Sequence, residues 1–104
     1  MADNDIRCSS CLKPFGTREP IACISGKLMG DECTDCYFWC EPCGVYTIRL
    51  YRDSFQGSET EHYSNPIPKE EGDRRLALIR RCSEPWNERC RCDAHREYFG
   101  GWLD

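Results

Sequence analysis

Apolar and polar residues alternate most cleanly over Val45–Arg52, where Tyr46, Ile48 and Leu50 fall on one side and Val45, Thr47, Arg49 and Tyr51 on the other. That two-residue period predicts a strand. The shorter run Ile21-Ala22-Cys23-Ile24 is rich in β-formers, and Ser25-Gly26 followed by Lys27-Leu28-Met29 predicts a small hairpin there. After Pro68 the pattern turns helical. Glu70 and Glu71 stand near the start of Lys69–Arg81 and Arg80 and Arg81 at its end, matching the helix dipole. Leu76 and Ile79 give this helix its buried edge, with Cys82 or Ala77 extending it, and Pro85 stops it. Gly72 costs a helix interior about 1 kcal/mol relative to alanine, so the helix is also allowed to begin there. Asp93 predicts the cap of a short helix carrying His95, Tyr98 and Phe99, which Gly100-Gly101 ends. Residues 1–7 read as a flexible tail and residues 53–68 as a loop, being rich in Ser, Gly, Glu, Asn and Pro.

These elements carry too little apolar surface to hold themselves together. The chain has 104 residues, enough for one domain, and 31% of them are charged. Burial alone then leaves the fold near zero net stability. Ten cysteines supply the missing support, either as disulfides or as metal ligands. The N-terminus is acidic where a secretory signal is basic, and no apolar run approaches the roughly 20 residues of a bilayer span. A cytoplasmic location is therefore expected, with reduced thiols that favour metal.

The thiols fall into groups. Cys8-Ser9-Ser10-Cys11, Cys33-Thr34-Asp35-Cys36 and Cys40-Glu41-Pro42-Cys43 are three C-x2-C pairs, and Gly44 follows the last of them. Each pair can turn two sulfurs onto one tetrahedral ion. The N-terminal pair is expected to share an ion with one of the two central pairs. The other central pair would be completed by Cys23, His62 or ligands from the C-terminal half. Farther on, Cys82, Cys90, Cys92 and His95 lie within fourteen residues and form a set of three thiolates and one imidazole. Their short spacing closes onto one ion at little entropic cost. Ten cysteines and two histidines would fill three four-coordinate sites. Cys23 is weighed evenly against a buried apolar thiol, and His62 ranks below a solvated imidazole in a polar loop.

The segment Cys40-Glu41-Pro42-Cys43-Gly44-Val45-Tyr46 resembles the C-x-x-C-G knuckle of zinc-ribbon and rubredoxin-like domains, and Cys8-x-x-Cys11 resembles the opposing knuckle. The resemblance spans residues 8–52 and implies metal binding, not an activity. A simple ribbon has no extra pair at Cys33 and Cys36 and nothing like Cys82 to His95. The expected fold is a small, metal-dominated α+β domain. Zinc-ribbon-like hairpins fill residues 8–52, and residues 69–104 add one helix and a short metal-bound C-terminal helix.

Ligand sets of four thiolates, or of three thiolates and one imidazole, select zinc or iron by softness. Two or three zinc ions are expected, with iron as the alternative; the 33, 36, 40, 43 spacing is not the run of bacterial ferredoxins. His95-Arg96-Glu97 spells H-x-E without the P-C-x-x-C of zinc deaminases, and no H-E-x-x-H, G-x-S-x-G or phosphate loop occurs. No catalysis is expected. The net charge is −4, yet all seven basic residues of 72–104 are arginines. These point to a structural zinc-binding protein that acts as a small protein-interaction module. One alternative is a redox protein with iron in a four-cysteine site or a reactive C-x2-C dithiol. The other is a nucleic-acid-binding zinc finger using Arg74, Arg75, Arg80, Arg81, Arg89, Arg91 and Arg96.

Overall fold

Each of the first three strands pairs with the next in sequence, so the sheet follows chain order. The computed structural model describes residues 6–16, 19–28, 30–54 and 57–100. Strands β1 (Ala22–Leu28), β2 (Asp31–Cys40), β3 (Val45–Asp53) and β4 (Glu59–Tyr63) lie side by side in that order, all antiparallel, and β5 (Ile67–Pro68) also pairs with β3. Helices α1 (Lys69–Arg81) and α2 (Asp93–Tyr98) complete a small compact α+β fold.

The alternation read along residues 45–52 assigns the two faces of the sheet. Ile24, Tyr37, Tyr46 and Ile48 pack under Leu76 and Ile79 of α1. On the opposite face Cys36, Phe38 and Cys40 meet Ile6, Cys8 and Phe15 of the N-terminal segment, with Phe15 stacked on Phe38 at 5.2 Å. Of the expected 1–7 tail, residues 1–5 lie outside the described residues. Ile6 is buried and Arg7 bridges Pro14.

Three expectations need correction. The first hairpin does not turn at Ser25-Gly26. Both residues sit inside β1, where Gly26 faces Cys33, and the chain reverses near Gly30, whose φ of +89° suits glycine. Residues 53–68 are not simply a loop. β4 pairs with β3 through its backbone while every one of its side chains stays exposed, so no apolar pattern announces it. His62 therefore stands on an exposed edge strand, opposite Leu50.

The third correction concerns Gly72, which is interior to α1 and buried. A Cβ there would overlap the Tyr46 ring, whose hydroxyl donates to Asp73 one residue on. Glycine is kept for this close approach in spite of its poor helix propensity. Gly72→Ala should accordingly destabilise the protein by about 1–3 kcal/mol, although the same change on an exposed helix face stabilises by about 1 kcal/mol. Urea unfolding with unchanged metal content checks the sign.

Candidate metal centres

The first centre joins two turns that the sheet brings together. At the N-terminus the Leu12 N–H donates to the Cys8 carbonyl at 2.9 Å and the Cys8 N–H to the Lys13 carbonyl at 3.0 Å, so Cys8 and Cys11 turn inward together. Leu12 takes a left-handed conformation, φ +65°, to close this turn. The turn is docked on β3, because the Ser9 N–H donates to the fully buried Thr47 hydroxyl at 2.9 Å. From the sheet, Cys40 ends β2 and Cys43 lies in the turn before β3, where the Gly44 N–H donates to the Cys40 carbonyl at 2.8 Å with Gly44 at φ +64°. The four Sγ atoms of Cys8, Cys11, Cys40 and Cys43 lie within 4.8 Å of one another, and Cys11 and Cys40 are 3.9 Å apart. An ion with four sulfurs at about 2.3 Å separates them by about 3.8 Å, so the donor set fits a tetrahedral soft cation.

The second centre is built by the C-terminal segment alone. Cys82 caps the end of α1, and Cys92 caps the start of α2, its Sγ accepting the His95 N–H at 3.4 Å. The expected cap, Asp93, is instead the first residue of the helix. Cys82, Cys90, Cys92 and His95 again lie within 4.8 Å of one another, with the Cys82 sulfur 3.5 Å from that of Cys90 and 3.3 Å from His95 Nδ1. His95 is fully buried, and its Nε2 is 2.6 Å from the Ser25 carbonyl of β1. A carbonyl only accepts, so Nε2 carries the proton and Nδ1 turns its lone pair to the thiols. This is the outer hydrogen bond that orients a metal-ligating imidazole. The Ser25 N–H in turn donates to the Pro85 carbonyl at 2.8 Å, so the ligand loop occupies the outer edge of β1.

The thiols in each centre do not ionise alike. Burial opposes the Cys8 thiolate, but backbone N–H groups of Cys11 and Ser10, with the Cys40 and Cys11 thiols, outweigh it and lower Cys8 to about 7. Contact with Cys11, then burial, pushes Cys43 up to about 12. In the second centre burial pushes Cys82 up to about 12, while the His95 N–H lowers Cys92. Each group thus shares protons among close sulfurs, and a divalent cation is the partner that lets all of them ionise.

Two expected ligands, Cys33 and Cys36, and the two less certain ones, Cys23 and His62, stand elsewhere. Cys33 and Cys36 are not a knuckle, because both lie in the extended strand β2, where residues three apart face opposite sides of the sheet. Cys36 shares the face of Phe38 and is bonded to Cys23, directly opposite it in register. Cys33 is buried on the other face, where burial raises its pKa, and it belongs to neither group. His62 is exposed on β4. The missed signal was positional: a hairpin whose last pair is Leu28 with Asp31 puts residues 23 and 36 side by side. Sequence reasoning also overlooked Thr47 and the Ser25 carbonyl as supports.

Comparison with protein-family models, with curated proteins and with solved structures finds no match to this chain.

Proposed function

We propose that this protein is a structural zinc protein in which two closed four-ligand centres of zinc-ribbon-like character stiffen a small sheet for docking another protein, without catalysis. The observation that carries this reading is the pair of complete donor sets, above all the imidazole held by Ser25 so that Nδ1 faces three thiols. Four protein ligands saturate a zinc ion and leave no position for an activated water. Closed sites of this kind contribute folding free energy instead.

The docking role draws support from what the ligand loops display. Leu12, next to Cys11, is 64% exposed, and Trp86, in the loop between Cys82 and Cys90, is 71% exposed. Each candidate centre thus holds a large apolar side chain out to solvent, and an exposed tryptophan such as Trp86 is the kind of anchor that dominates protein interfaces. A nucleic-acid role has less behind it. Arg74 and Arg75 are paired with Glu71, Arg81 with Glu97, and Arg91 bonds backbone carbonyls, on a chain of net charge −4. No helix among the described residues is long and apolar enough to cross a membrane. Thiolate centres call for a reducing compartment, which favours the cytoplasm. A redox role has one observation in its favour, the Cys23–Cys36 pair.

Native mass spectrometry with elemental analysis of the reduced protein tests the reading. Two zinc ions per chain are expected. Iron in their place, or a chain that folds with none, would remove it.

A further inference from the structure

The sheet and the two helices border an open cleft of about 410 Å³ that belongs to neither candidate metal centre. Asp35, Arg52, Arg74, Arg75, Leu78 and Tyr98 line it, with Phe99 beside Tyr98. Of its two carboxylates, Asp35 is engaged and Glu97 is exposed. Asp35 accepts from Arg52 Nη1 at 3.2 Å and from the Tyr98 hydroxyl at 2.9 Å, and Glu97 lies 4.0 Å from Arg81. The guanidinium groups are not matched in the same way. A single carboxylate, that of Glu71, answers both Arg74, at 2.6 Å and 3.3 Å, and Arg75, at 2.7 Å. The lining thus carries three guanidinium groups against two carboxylates, and Glu71, outside the lining, is shared between two of those forks. Leu78, Tyr98 and Phe99 supply its apolar lining, the two rings meeting edge to face at 4.9 Å.

We propose that this cleft binds a small organic phosphate, with the phosphate held by Arg74 and Arg75 and the organic body packed on Leu78, Tyr98 and Phe99. A dianion with three terminal oxygens offers each fork its own partner, which Glu71 alone does not. The volume suits a small molecule and falls within the range of ordinary ligand sites. The arginines that stood out in the sequence, Arg74 and Arg75, thereby meet Arg52 from β3 through the fold alone.

Isothermal titration calorimetry of the metal-loaded full chain, in phosphate-free buffer, tests this with phenyl phosphate and inorganic phosphate as probes. Phenyl phosphate should bind, and more tightly than inorganic phosphate. Arg74→Gln and Arg75→Gln should each weaken it about tenfold, as loss of a charged hydrogen-bonding partner does. Glu71→Gln should tighten it severalfold by removing the competing carboxylate. Arg89→Gln, in the loop of the second centre, should leave it unchanged. Metal content and circular dichroism check each variant's fold, and exposed Arg74 keeps the test open if Arg75→Gln does not fold. No binding of phenyl phosphate, no preference over inorganic phosphate, indifference to Arg74→Gln, or an equal loss in Arg89→Gln would overturn the proposal.

Discussion

Treated with a chelator under reducing conditions, the protein is expected to lose its fold as a whole. The sixteen buried apolar residues among those described include five cysteines, Cys8, Cys33, Cys36, Cys40 and Cys82, three of which belong to the metal centres. Without metal, these three and the ligands around them become crowded, partly ionised thiols within or beside the core. A structural zinc site contributes on the order of 10 kcal/mol, comparable with the whole stability of a domain this size. Far-UV circular dichroism should fall toward a coil spectrum. Emission from Trp39, half-buried against Tyr46 at 4.7 Å, should shift to the red. Because reductant also opens Cys23–Cys36, reductant alone is the necessary comparison. It should leave the fold intact, since both sulfurs sit opposite each other in a sheet that β3 and α1 already hold. An ordered chain in chelator and reductant together would contradict the metal-based account of stability.

Losing one ligand should remove one ion and loosen one region. Cys40→Ser is expected to lower the native-mass stoichiometry from two ions to one. It should release residues 6–16, which keep the burial of Ile6 and Phe15 against Cys36 and Phe38 and the Ser9–Thr47 bonds. His95→Ala should also leave one ion, but it frees the other end of the molecule. The Ser25 carbonyl loses its donor, Cys82, Cys90 and Cys92 lose their fourth ligand, and residues 82–100 detach from β1. Amide hydrogen exchange should accelerate by orders of magnitude in those segments while β2 and β3 stay protected. The loss of both ions from either single variant would mean that the centres are coupled.

The second centre was legible in the sequence because its ligands fall within fourteen residues, and local spacing is enough to close such a set. The strand over 45–52 and the helix over 69–81 were legible for a similar reason: periodic burial writes itself into neighbouring residues. The partition of the central thiols was not. Three C-x2-C pairs look alike as text, yet Cys40–Cys43 closes a turn at the end of a strand whereas Cys33–Cys36 lies inside one, which sends its two sulfurs to opposite faces. β4 escaped because its pairing is made by backbone groups and buries no side chain. Gly72 looked like a weak point of the helix until the Tyr46 ring appeared over it.

By itself, then, the sequence determined the chemistry at hand: ten thiols, two histidines, few large apolar side chains, and arginines gathered toward the end. Tertiary structure alone decided which sulfurs meet. It joined Cys8 and Cys11 to Cys40 and Cys43, set Cys23 against Cys36, left Cys33 apart, and turned His95 onto Ser25. The physical reason is range. Spacing along the chain governs groups that one turn can bring together, whereas strand register and the choice of sheet face, which no short motif encodes, govern all the others.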